Sequence, residues 1–140
     1  MPRVFICGSA LRGQPDHQNL QSATFLREAN TKPLYRIHSV ENGWHPGIYQ
    51  VDAGGVSIPG EVYEMTSEQF DYLCSNEPPH MYPTDVILAD NEVVTAFFYP
   101  RDLVEKYGWL DISELGGWVA YKQAIAPLKI AAQTDINLIK

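Results

Sequence analysis

A glycine-bearing loop near the start of the chain could bind an anion. Gly8, Ser9, Ala10 and Leu11 follow a short apolar segment, and Gly13 ends the loop. Glycine lets a backbone approach a ligand closely, and successive N–H groups in such a loop can hold a carboxylate or a developing oxyanion. The alternative is structural: the glycines turn the chain and Ser9 caps the turn.

The cysteines and histidines do not have the spacing of a disulfide framework or a metal site. Cys7 and Cys74 are far apart in apolar surroundings, which favours reduced, buried thiols. A thiol enzyme that uses Cys7 is an open alternative, although the sequence offers it no evident base. The four histidines lack metal-ligand spacing; they are His17, His38, His45 and His80. We predict no metal and no cofactor.

The acidic composition argues against two classes of partner. The chain has 17 Asp and Glu against 10 Lys and Arg, a formal net charge of -7 and a pI near 4.9. Such a surface repels phosphate backbones and anionic lipid, so we expect neither nucleic acid nor membrane as a partner. The apolar runs are too short for a membrane span or a signal segment, and we expect a cytoplasmic protein.

The length and hydrophobic content predict one folded domain. With 140 residues, 45% of them hydrophobic, the chain can bury a core without metal or disulfide support. We predict a single domain over residues 1–122. Residues 123–140 lack clear periodicity and form a C-terminal extension, a candidate for packing on a partner subunit.

Short β-prone segments separated by turn residues predict a mainly antiparallel sheet. Residues 34–65 are expected to form one small sheet, with a hairpin turn at 52–55. Residues 85–99 are expected to form a central hairpin, because the second of its strands is almost continuously apolar. The remaining predicted strands are residues 4–7 and 24–29.

Helices are predicted where capping residues precede an apolar periodicity. Thr66 and Gln69 form a capping-box pattern ahead of a short helix that ends near Cys74. A second helix is expected to open at Pro100, a residue favoured in the first turn, and to stop at Gly108. Residues 111–122 predict a helix, a turn and a helix. Between these elements, the prolines of residues 76–83 predict a stiff exposed loop, and Tyr82 is the aromatic residue that we expect to contact a ligand.

The order of several short motifs resembles the gamma-glutamylcyclotransferase-like superfamily. The segment Cys7-Gly8-Ser9-Ala10-Leu11-Arg12-Gly13 resembles the tyrosine-glycine-serine/threonine-leucine loop of that superfamily, with Cys7 and Ala10 as departures. Further similar positions follow in order: Tyr35-Arg36, Pro46-Gly47, Gly60-Glu61-Val62-Tyr63, Leu73 with Glu77, and Tyr82. The later segments resemble the C-terminal domain of allophanate hydrolase: Asp111-Ile112-Ser113, Gly116-Gly117-Trp118 and Ala120-Tyr121.

The resemblance implies an α+β fold: a small, partly open, mainly antiparallel β-barrel with packed helices. A cavity at its mouth would be bounded by residues 8–13 and 77–82. The resemblance places the acid/base carboxylate at Glu77 and a substrate-binding role on Gly8, Ser9, Ala10, Leu11 and Tyr82. The structural alternative for Glu77 is a solvated glutamate in a proline-rich loop.

The implied function is that of a small-molecule enzyme acting on a carboxylate-bearing amide. Its ligand would be a small anionic amide or carboxylate, and its protein partner a second copy or a separate amidase subunit. Allophanate hydrolase carries a key histidine in the first loop, where this chain has Ala10, so His17 or another residue would have to replace it. The alternative function is a non-catalytic module that binds a metabolite or associates with an amidase.

Overall fold

The computed structural model describes residues 1–20 and 22–127. Within them the chain is α+β, as predicted, with eight strands and three helices. The strands are Arg3–Ile6 (β1), Thr24–Asn30 (β2), Tyr35–Val40 (β3), His45–Gln50 (β4), Pro59–Glu64 (β5), Tyr82–Ile87 (β6), Val93–Phe98 (β7) and Leu110–Asp111 (β8). The helices are Ser67–Ser75 (α1), Arg101–Tyr107 (α2) and residues 118–127 (α3).

The strands form two sheets that differ in size. The larger has the order β2-β5-β1-β7-β6, and the smaller has the order β4-β3-β8. Strand β1 lies in the middle of the larger sheet, antiparallel to β5 and parallel to β7. Its apolar residues alternate between two core clusters: Phe5 belongs to one, and Val4 and Ile6 to the other. Packing on both faces fixes the strand that leads into the glycine loop.

The barrel part of the prediction is not confirmed. The edge strands β2 and β6 approach each other only just past their ends, where Thr31 and Leu88 form an isolated bridge. Two backbone hydrogen bonds support it, from Lys32 N–H to the Ile87 carbonyl and from Ala89 N–H to the Asn30 carbonyl. This single bridge joins β2 and β6 at one end only, and the two edge strands do not pair along their length. The described strands therefore form two open sheets and not a closed barrel.

The single sheet predicted for residues 34–65 is wrong, because those strands divide between the two sheets. The β3–β4 hairpin turns at Asn42 and Gly43, which have φ values of 58° and 88°. Asn-Gly is a strong hairpin signal because both residues tolerate positive φ. The hairpin turn therefore lies at these two residues and not at the predicted residues 52–55. That second turn instead carries the chain to β5 in the larger sheet.

The hairpin predicted for residues 85–99 is present as β6 and β7, although β6 is an edge strand and not central. An edge position also explains how Pro83 is accommodated within β6, since an edge strand needs no N–H on its open side. Of the helix, turn and helix predicted over residues 111–122, the first helix is only a 3-10 turn, Ser113–Leu115, and the second is α3.

The capping box at the start of α1 is confirmed. Gln69 N–H donates to the Thr66 hydroxyl at 3.1 Å, and the Gln69 side chain accepts from Thr66 N–H at 2.7 Å. The predicted stop of α2 at Gly108 is also confirmed, since Gly108 adopts the left-handed conformation typical of a helix C-terminus. Within the described residues, no helix is long and apolar enough to cross a bilayer.

Candidate functional site

A cavity lies where the end of β1, the start of β4 and the loop after α1 meet. Residues 5–10, 44–46 and 76–78 line it, and Leu73 and Phe97 contribute apolar surface. Its empty volume is about 640 Å³, part of which is open to solvent. The structure therefore brings Glu77 together with Gly8, Ser9 and Ala10, which are about seventy positions apart in sequence.

Gly8 is needed at this place because Pro46 packs directly on it. A Cβ atom at position 8 would clash with Cγ and Cδ of the Pro46 ring. Gly8 itself is buried, so the contact leaves no room for a side chain. The pairing of Gly8 with Pro46 thus joins the first loop to the start of β4 and fixes two walls of the cavity.

Ser9 and Ala10 of the first loop line the cavity. No hydrogen bond from the N–H of Ser9 or of Ala10 is made to another residue in the described part of the chain. The N–H of Leu11, in contrast, donates to the Gly8 carbonyl at 3.0 Å, and the Leu11 side chain is buried in the core. Leu11 therefore closes the turn and does not line the cavity, whereas Ser9 and Ala10 do.

An ion pair holds the far end of the first loop. The Arg12 side chain donates from Nε to Oε2 of Glu61 at 2.6 Å, and the Arg12 N–H donates to Oε1 at 3.1 Å. The Tyr63 hydroxyl donates to the same carboxylate at 2.9 Å. Burial alone would raise the pKa of Glu61, but these hydrogen bonds outweigh it and the pKa lies below its ordinary value. Glu61 thus anchors the loop as a carboxylate.

Glu77 is a partly buried carboxyl group two residues past the end of α1. Its N–H donates to the Cys74 carbonyl at 3.3 Å, which continues the helix terminus into the loop. Burial, and secondarily the negative charge of Asp16, raise the pKa of Glu77 to about 7. Near neutral pH the group can therefore either accept or give a proton.

Cys7 lines the same cavity, where its surroundings favour the protonated thiol. Burial, and secondarily the charge of Glu77, raise the pKa of Cys7 to about 12. A thiol with such a pKa is protonated at neutral pH, and the thiolate is the reactive form. Both cysteines are free, and we give Cys7 no chemical role.

Three residues considered from sequence lie away from the cavity lining. The Tyr82 side chain is 42% exposed and packs against Phe98, with the ring centroids 6.2 Å apart. Nδ1 of His17 is 2.9 Å from the Ala10 carbonyl oxygen, so the ring contacts the backbone of the first loop. His38 hydrogen-bonds Tyr49 at 3.0 Å within the smaller sheet. Among the described residues, no group of three or more potential metal ligands comes together.

Sequence reasoning gave no site role to three polar cavity residues, Asp16, Asn19 and His45, and it considered Trp44 only as one of several aromatic residues that could line a pocket. Trp44 is half exposed, and its indole N–H is 3.4 Å from an Asp16 carboxylate oxygen. His45 is 2% exposed. The sequence signal for Trp44 and His45 was the Pro46-Gly47 pair that directly follows them, which is one of the positions similar to the superfamily. The described lining includes no Lys or Arg, so Asp16 and Glu77 give the cavity an acidic character.

Comparison with known proteins assigns the chain to a family. The family model of the allophanate hydrolase C-terminal domain matches residues 2–123. The chain belongs to this family. It is 30% identical over 125 residues to urea amidolyase of Saccharomyces cerevisiae, a match that covers 85% of this chain but only 7% of the yeast protein.

Members of the wider superfamily include shorter proteins. A protein of Vibrio cholerae with the name "Putative gamma-glutamylcyclotransferase" is 33% identical over 99 residues, which are 69% of this chain and 78% of that protein. A uropathogenic E. coli-specific protein of known structure has a TM-score of 0.81 and 30% identity, covering 87% of this chain and 95% of that one. The predicted relationship to gamma-glutamylcyclotransferase-like proteins and to the allophanate hydrolase C-terminal domain is confirmed.

Proposed function

We propose that this protein is a small-molecule enzyme that acts on a carboxylate-bearing amide, with Glu77 as its acid/base group. The observation that carries the proposal is the position of Glu77: a partly buried carboxyl group with a pKa near 7, in one cavity with the backbone donors of the first loop. Groups tuned to titrate near the working pH are typical of proton-transfer sites.

The simplest chemistry for this arrangement is an intramolecular cyclisation. Glu77 removes a proton from the ligand's ammonium group. The freed amine nitrogen then attacks the carbonyl carbon of the amide in the ligand's own side chain and forms a C–N bond. Glu77 then returns this proton to the leaving nitrogen as the original amide bond breaks, and the attacking nitrogen gives up a second proton, which the released amine takes up. The products are a neutral lactam and a protonated amine, and no co-reactant is needed.

Two further features support this class of ligand. The N–H groups of Ser9 and Ala10 have no protein acceptor in the described chain, and they can stabilise the tetrahedral oxyanion or a carboxylate. The carboxyl groups of Asp16 and Glu77 favour a cationic group such as an ammonium. A ligand with both charges fits the cavity better than a simple dianion. Leu11 and Tyr82 have no part in this proposal, because neither lines the cavity.

The proposal is tested by thermal-shift screening of the purified protein. The panel is gamma-glutamyl dipeptides, 5-oxoproline, allophanate, biuret and malonate, because a ligand specific to the folded state raises its melting temperature. We expect a gamma-glutamyl dipeptide or 5-oxoproline to raise it, and Glu77→Gln to change the response. A panel without any stabilising compound would contradict the proposal.

A second candidate function is a non-catalytic module that binds a metabolite or associates with an amidase. The observation in its favour is that the matched segment is 7% of the yeast urea amidolyase, so related domains occur inside much larger proteins. Ala10 in place of a first-loop histidine agrees with it. Copurification with an amidase-type subunit, together with an inert panel, would support this candidate, whereas a homodimer with an occupied cavity would count against it.

A further inference from the structure

Asp16 is a second acidic residue in the lining of the cavity that contains Glu77. Its backbone is fixed to the first loop, because its N–H donates to the Ser9 carbonyl at 2.8 Å. Its own carbonyl accepts from Asn19 N–H at 3.1 Å. The indole N–H of Trp44 donates to Oδ2 of the Asp16 carboxylate at 3.4 Å. The first loop and the residue before β4 therefore hold Asp16 together.

The carboxyl groups of Asp16 and Glu77 both have unused acceptor oxygens. Within the described part of the chain, Oδ1 of Asp16 accepts no hydrogen bond, and neither carboxyl oxygen of Glu77 accepts one. Neither group forms an ion pair there, whereas the buried Glu61 carboxylate is paired with Arg12. A partly buried carboxylate without a cation is unfavourable, and a cationic group of a ligand relieves that cost.

These two groups determine the charge of the cavity. The titratable residues in its described lining are Cys7, Asp16, His45 and Glu77. Burial raises the pKa of Cys7 to about 12, so its thiol is neutral. Burial is also the main cause that lowers the pKa of His45, which favours the neutral ring. With no Lys or Arg among the described lining residues, no side chain there competes with a ligand's ammonium group for the two acids.

We propose that the carboxylate of Asp16 binds the ligand's ammonium group and holds it beside Glu77, which makes the cavity selective for ligands with a free amino group. This inference rests on the proposed function and adds a specificity-determining residue to it. The charge of Asp16 favours a proton on the ligand nitrogen and on Glu77 alike. It can therefore orient the ammonium group without opposing the proton transfer between them.

The test compares a gamma-glutamyl dipeptide with its glutaryl analogue, which has the same amide but lacks the α-amino group. Calorimetric titration is done near pH 6, where Glu77, with a pKa of about 7, is mostly protonated. Wild type should bind the dipeptide about tenfold more tightly, as expected for a hydrogen bond between charged groups. Asp16→Asn should bring this ratio close to one. Asp52→Asn makes the same change in net charge at an exposed position outside the lining and should leave the ratio unchanged.

A second readout distinguishes this role from a purely structural one. The pKa of Glu77, followed by ¹³C NMR without ligand, should fall in Asp16→Asn but not in Asp52→Asn, because the Asp16 charge contributes to raising it. An unchanged Glu77 pKa in Asp16→Asn would overturn the inference. Equal binding of both compounds by wild type, which needs no variant to fold, would overturn it alone and leave the proposed function standing. If wild type bound neither compound, the proposed ligand class would fail with it.

Discussion

Replacing Glu77 with glutamine is expected to stabilise the protein at alkaline pH, although it removes the proposed acid/base group. The pKa of Glu77 rises from an ordinary value of 4.5 to about 7 in the folded chain. At pH values below the ordinary pKa, Glu77 is protonated in both the folded and the unfolded chain, so it does not make the free energy of unfolding depend on pH. Between the two values the folded chain keeps a proton that the unfolded chain loses, so stability falls as pH rises.

The size of this effect follows from the shift. One pKa unit corresponds to about 1.4 kcal/mol, so the full shift would lower the free energy of unfolding by about 3 kcal/mol between pH 5 and pH 8. Solvent reaches part of the Glu77 side chain, and we therefore expect about 1–3 kcal/mol. Glutamine resembles the protonated carboxyl group in shape and lacks its charge, so the variant should not show this decline.

Urea unfolding curves recorded from about pH 5 to pH 8 measure the difference. Glu77→Gln should match wild type near pH 5 and be more stable near pH 8. Glu105→Gln is the matched control, since Glu105 is an exposed carboxylate on α2 away from the cavity, and its curve should run parallel to that of wild type. A Glu77→Gln variant that is no more stable than wild type at pH 8 would refute the desolvation argument.

Two further substitutions test how the first loop is held. Gly8→Ala should lower the free energy of unfolding by about 1–3 kcal/mol in urea titrations, because its Cβ would clash with Pro46; a neutral result would mean that the two segments are not in tight contact. Glu61→Gln should cost about 1–3 kcal/mol, because glutamine accepts fewer hydrogen bonds from Arg12 and Tyr63, and wild-type stability would show that the loop is anchored elsewhere.

Local signals in the sequence predicted local structure well. The capping box at Thr66 depends only on residues within one helical turn, and it is present as expected. The β6–β7 hairpin is also local. The division of strands between two sheets depends on which distant edges pair, and the alternation of apolar residues does not specify this. The Asn42-Gly43 turn was readable, and giving it priority over residues 52–55 would have predicted the β3–β4 hairpin.

The candidate site was predictable only where a resemblance pointed to it. The order of the motifs led to the prediction that Glu77 and the first loop share one site, and in the structure these residues line one cavity. No pattern around Glu77 could show its burial, because the enclosing groups come from β1, α1 and β7. His45 gave no signal either, because its burial depends on packing against residues such as Tyr99, which is distant in sequence.

The most direct test of the proposed function is turnover of the gamma-glutamyl dipeptide that binds best. Amine release should be measured for wild type, Glu77→Gln and Glu105→Gln at the same protein concentration and pH. We predict that wild type and Glu105→Gln release amine at similar rates and that Glu77→Gln loses at least about a hundredfold, the usual contribution of a general acid/base. Full turnover by Glu77→Gln would contradict the account.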